Sequence, residues 1–193
     1  ERLILGESVQ DVQRLDAHRE GALGAGLVKI TTARYEPERG RIALGFADGR
    51  AASVEVAFPV SFEGDRRIVS FWATGKEGVH LAPEGTALVA VDWVETRERT
   101  AVAGVDAGGG LHLTIVEASR SFFGGSERVV RRHDLTQGLA GRPTAIALAP
   151  DGNLLLVGDD AGLLYQWDLS GPQPPRLVAA MVAAGVGAGR VVD

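Results

Sequence analysis

Apolar and polar positions alternate with a period of two along much of the chain. Val54, Val56 and Phe58 alternate, as do Leu111, Leu113 and Ile115, and Leu163, Tyr165, Trp167 and Leu169. That period puts every second side chain on one face of a strand. Leu154 to Val157 is apolar throughout, as in a strand covered on both faces. Helical periodicity is scarce. Only Ser8 to Ala22, with Val9, Val12 and Leu15 on one face, reads as a helix candidate.

The strand pattern recurs. Three stretches align: Ile30 to Phe58, Ala87 to Val116 and Pro143 to Leu169, with starts 57 and 56 residues apart (87 − 30 and 143 − 87). Each has a strand, a polar turn, a second strand ending near a glycine, a further glycine and a third alternating strand. The glycine pairs are Gly45/Gly49, Gly104/Gly108 and Gly158/Gly162. Turns such as Asp48-Gly49, Pro150-Asp151-Gly152 and Asp159-Asp160-Ala161-Gly162 combine positive-φ glycine with aspartate that bonds its own backbone. A fourth strand fits each gap, at Arg67–Ala73, Glu127–His133 and Pro175–Met181. The prediction is an all-β chain of four-stranded antiparallel units, approximately residues 30–73, 87–133 and 143–181, in a single region spanning 1–193. A second registration competes around residues 80–100. LAPEGTALVAVD from Leu81 also matches LAPDGNLLLVGD from Leu148, which makes Leu88–Trp93 a second strand instead of a first.

Composition narrows the class of partner. The chain has 193 residues, 45% hydrophobic and 23% charged, with net charge −5, the profile of a globular domain. A mildly acidic balance disfavours nucleic acid and anionic lipid. There are no cysteines, so disulfides, thiolate catalysis and Cys-based zinc sites are excluded. Only Lys29 and Lys76 among the 20 basic residues are lysines, a bias seen in GC-rich bacterial coding. The most apolar run, Leu177 to Gly189, is interrupted by Gly185 and Gly187 and is shorter than the roughly 20 residues a membrane helix needs.

No candidate chemistry is complete. His18, His80, His112 and His133 include no i, i+4 pair, so a helical zinc site is absent. His112 falls out of the apolar set of its strand and reads as exposed, and His133-Asp134 lies on an outer strand. Ser126 lacks the second glycine of a nucleophile elbow, and Gly75-Lys76 is followed by Glu77 instead of Ser or Thr. The glycine-rich pieces Gly21–Gly26 and Gly185–Gly189 read as turns. Asp151, Asp159 and Asp160 are too few for calcium, which takes six to eight oxygens. Arg128, Arg131, Arg132 and His133 form a basic strand, read as a solvated edge. Trp72, Trp93 and Trp167 read as packing residues. No catalytic residue, metal ligand or cofactor is assigned, and the chain is read as non-enzymatic.

IALAPDGNLLLVGDDAGLLYQWDL, in the third unit, resembles a WD40-type β-propeller blade. Pro150-Asp151-Gly152 resembles the turn between its first two strands, and Trp167-Asp168 the dipeptide closing its third. The match is close over residues 143–169; the other units follow it in outline and lack the closing Trp-Asp. A propeller closes with about four to eight blades, so the resemblance implies a piece of a larger propeller, with self-association as an alternative. The Ala- and Arg-rich style, the lengthened units and the segment from Arg142 to Leu169 are also similar to the extracytoplasmic propeller of some bacterial phosphate-type ABC transporter permeases. That resemblance implies a periplasmic module for protein interaction or ligand sensing. Its expected partner is a solute-binding protein or transporter subunits. The rival readings are a metal-dependent propeller enzyme of lactonase or phytase type and a cytosolic WD40-like scaffold.

Overall fold

The computed structural model describes residues 28–36, 40–64, 66–69, 72–75, 78–120, 126–171, 173–182 and 190–191. They form antiparallel sheets in which most strands pair with their neighbours in sequence. The first sheet takes β1 (Ile30–Glu36), β2 (Arg41–Phe46) and β3 (Arg50–Ala57). The chain then makes a separate ribbon of β4 (Val60–Glu63) and β5 (Arg66–Val69), and returns to β3 with β6 (Trp72–Gly75) and β7 (Val79–His80). The second sheet is β8 (Leu88–Glu95), β9 (Arg99–Asp106), β10 (Leu111–Arg120) and β11 (Ser126–Asp134). After a short 3-10 turn at Thr136–Gly138, the third is β12 (Pro143–Leu148), β13 (Leu154–Asp159), β14 (Leu163–Asp168), β15 (Arg176–Val182) and β16 (Arg190–Val191). The fold is all-β and blade-like, and the candidate helix at Ser8–Ala22 lies outside the described residues.

The first strands carry the arrangement. Strand β8 packs against both β1 and β12, so the opening strand of each sheet lies beside that of the next, as inner strands do in a propeller-like arc. Each opening strand has the same irregularity after its first residue: the register shifts between Ile30 and Thr32, between Leu88 and Ala90, and between Pro143 and Ala145. The strands start 58 and 55 residues apart (88 − 30 and 143 − 88). The repeat is therefore structural, and Leu88–Glu95 is a first strand, which rejects the competing registration.

Two details of the sequence reading need correction. The fourth strand of the first sheet is not Arg67–Ala73. Arg67 pairs within the ribbon, opposite Phe62, and Trp72 to Gly75 with Val79–His80 take the outer position, opposite Ala57 to Val54 and Ala51–Arg50. The insertion of a second hairpin between third and fourth strands was hidden because its residues alternate like the rest. In the second sheet the positive-φ turn glycine is Gly109, matching Gly49 and Gly162. Register places Val105, not Gly104, opposite Ala90, where Gly45 and Gly158 stand opposite Thr32 and Ala145.

Two cores hold the sheets together. Ala43 and Ala51 pack with Leu88, Val91, Trp93 and Val102 between the first and second sheets. Ala101, Ala103, Val105, Leu111, Leu113 and Ile115 pack with Leu155, Val157, Tyr165 and Trp167 between the second and third. Burying a leucine such as Leu113 or Leu155 fully stabilises the fold by about 1.5–3 kcal/mol. Trp93 and Trp167 are both buried, as expected of packing residues.

Candidate functional site

A charged residue in the middle of the apolar strand LVAVDWVE marks the junction of the three sheets. Asp92 is buried on β8. Its Oδ2 accepts the N–H of Leu148 at 2.6 Å, from the end of β12, and its Oδ1 accepts the N–H of Trp93 at 3.0 Å. From the other side, Arg34 on β1 places Nη1 3.3 Å from Oδ2 and donates to the carbonyl of Ile146. One carboxylate thus ties together the opening strands of all three sheets. Burial raises its pKa above the ordinary value, against the lowering effect of the Leu148 N–H, Arg34 and the Trp93 N–H. A buried acid with this many donors is a structural tie: its lone pairs are directed at the backbone and at one guanidinium.

A second device sits in the turns. Asp106 ends β9 and Asp159 ends β13, both opposite the first residue of the opening strand. Asp106 accepts from the Gly110 N–H at 2.8 Å and contacts His112 Nε2 at 2.7 Å. Asp159 accepts from the N–H groups of Ala161 and Leu163 and, at 2.8 Å, from the Tyr165 hydroxyl. Tyr165 in turn accepts the Ala140 N–H. Burial acts to raise both carboxyls, but the hydrogen bonds, with His112 first for Asp106 and the Leu163 N–H first for Asp159, leave both below the usual range. Tyr165 is pushed up by its burial. His112, expected to be exposed, is tucked against Asp106 with 12% of its side chain accessible. The expectation failed because the partner lies six residues away, across a turn.

A third network joins the opposite ends of the second and third sheets. Arg99 opens β9, donates to Asn153 Oδ1 at 2.9 Å and to the Leu169 carbonyl at 2.6 Å, and stands 3.7 Å from Glu117. Burial lowers its pKa, against the raising effect of Glu117. Arg41, which opens β2, reaches the next sheet in the same way, with Glu95 at 3.1 Å.

The other candidates do not converge. Asp151 caps its own turn through the Asn153 N–H, and Asp160 accepts the Arg142 N–H. No group of three or more His, Asp or Glu side chains suited to a metal occurs among the described residues. Asp134 binds the Thr136 N–H instead of orienting His133. His133 keeps a buried Nε2 without a hydrogen-bond partner, and burial followed by Arg131 lowers its pKa. Arg131 pairs with Glu117, while Arg128 and Arg132 stay exposed. His80 is exposed on β7 and Ser126 opens β11. His18, Lys76 and the glycine runs at 21–26 and 185–189 lie outside the described residues.

Asp92, Asp106, Arg34 and Arg99 were not singled out from the sequence. Asp92 had a usable signal, a lone charge inside an apolar strand. Asp106 had another, the same place before a glycine turn as Asp159. No protein-family model and no curated protein matches the chain. No helix among the described residues is long and apolar enough to cross a membrane.

Proposed function

We propose that the chain is a non-catalytic, propeller-like module for protein interaction, part of a larger ring of blades. The observation that carries this reading is the use made of the buried carboxylates. Asp92, Asp106 and Asp159 are each saturated by backbone N–H groups and one side chain of the fold itself. Such groups fix blades relative to one another, and a rigid array of blades presents its loops and outer strands to partners.

The finer proposal is the periplasmic propeller of a phosphate-type ABC transporter permease, with the cognate solute-binding protein as partner. It draws support from the resemblance of Arg142–Leu169 and from units lengthened to 55–58 residues. The test is calorimetric titration of the chain with a purified phosphate-type solute-binding protein. Saturable heat supports the proposal. Turnover of a lactone or phytate in the presence of calcium, with no binding heat, replaces it with the propeller-enzyme reading.

A further inference from the structure

We infer that the outer edge of the second sheet, strand β11 (Ser126–Asp134), takes up an extended peptide that carries two carboxylates four residues apart with an apolar residue midway between them. The inference rests on the interaction-module reading and gives it a surface and a partner chemistry.

The three outer edges differ. In the third sheet the outer strand β15 is already covered, because β16 pairs with it, Val191 opposite Ala179 and Arg190 opposite Ala180. In the first sheet the outer position is split between two short strands, β6 and β7. Strand β11 is continuous over nine residues and ends its sheet, with no strand beyond it among the described residues. An unpaired edge offers a row of backbone donors and acceptors to an added strand, and the third sheet shows that an outer edge of this fold accepts one.

The side chains on that edge specify the guest. Arg128, Val130 and Arg132 alternate onto one face, opposite Ala118, Val116 and Thr114 of β10. Both arginines are exposed, and neither guanidinium has an ion pair or hydrogen bond among the described residues, in contrast to Arg131, which pairs with Glu117. Val130 between them is 50% exposed and Val129 41%. Charge on an edge strand is a common guard against aggregation, but a guard gains nothing from two adjacent exposed valines. An added strand has the same period of two. On the face that meets this strip, carboxylates four residues apart in the guest fall opposite Arg128 and Arg132, about 13 Å apart at the strand rise, and an apolar residue midway between them falls opposite Val130. With a net charge of −5 over the chain, this strip is a local basic surface on an acidic protein.

The test is fluorescence anisotropy of the full chain with a labelled peptide built on Glu-Thr-Val-Thr-Glu, at low and at near-physiological salt. Three controls accompany it: a peptide of the same composition in blocks, the patterned peptide with N-methylated backbone amides, and polyphosphate. The expected result is saturable binding of the patterned peptide alone, weakened about tenfold in Arg128→Glu/Arg132→Glu, whose exposed sites leave thermal unfolding unchanged. No binding at about 1 mM peptide, or equal binding of the blocked peptide, the methylated peptide or polyphosphate, overturns the inference. If the solute-binding protein still titrates in that case, the edge assignment alone falls and the module reading stands.

Discussion

Asp106 and Asp159 occupy the same position in consecutive sheets, and each holds the side chain six residues further on, His112 in one and Tyr165 in the other. In the first sheet that position is Phe46, whose sixth neighbour Ala52 packs with it in an apolar cluster. The turn therefore closes in two ways, by a carboxylate collecting N–H groups or by apolar contact.

The carboxylate form makes a prediction about acid. Asp106 and Asp159 both titrate below their ordinary range, which in an unfolded chain is near 4. A depressed acid contributes stability that is complete above the unfolded pKa and is lost as pH falls through the folded one. Urea midpoints of the intact protein are expected to fall steeply below about pH 4. Asp159→Asn is expected to lower the midpoint at neutral pH by about 1.5–3 kcal/mol of stability and to flatten the acid limb. An acid limb as steep as that of the parent protein contradicts the assignment.

Asp92 is predicted to behave with the opposite sign. Its carboxyl is raised by burial, so the folded protein takes up a proton before the unfolded chain does. Its contribution to stability therefore grows as pH falls from the raised folded value toward about 4. Asp92→Asn removes that dependence while keeping an oxygen for the Leu148 N–H. Asp92→Ala leaves that N–H without its acceptor and Arg34 without its carboxylate. It is expected to cost about 1–3 kcal/mol, read from urea unfolding. An alanine variant as stable as the asparagine variant means that the junction of three sheets is not held by this carboxylate.

Arg99 joins two sheets through Asn153 and the Leu169 carbonyl. A double-mutant cycle of Arg99→Met and Asn153→Ala is expected to show coupling of about 0.5–3 kcal/mol. Additive single effects leave the link of Arg99 to the third sheet to the Leu169 carbonyl alone.

The extent to which these relationships were legible follows from how far apart in sequence the partners lie. Strand period, turn glycines and the recurrence of the unit are local, and they located most strands of the three sheets. The β4–β5 ribbon escaped because alternation in Val60–Val69 looks the same in any sheet. The Asp92 junction spans 56 residues to Leu148, and the Arg34 bond to Ile146 spans 112. Separations of that size carry no periodic signature. Only the cost of burying an unpaired charge in an apolar strand points to such a partner.

Equivalent turn glycines supply the last prediction. Gly49 and Gly162 stand at the same place in the first and third sheets, with φ of 85° and 79°. An alanine at either pays the left-handed penalty of about 1–2 kcal/mol. They differ in surroundings. A Cβ at Gly162 meets nothing within 4 Å, whereas one at Gly49 lies 2.9 Å from the carbonyl oxygens of both Ala82 and Pro83. That crowding arises because the Gly49 carbonyl accepts the N–H groups of Leu81 and Ala82, which seats the link between the first and second sheets on the turn. Gly162→Ala is therefore expected to cost only the backbone term, and Gly49→Ala about 1–3 kcal/mol more, with both measured by urea unfolding. Equal losses at the two sites mean that the link from Leu81 to Thr86 is not packed on the first turn.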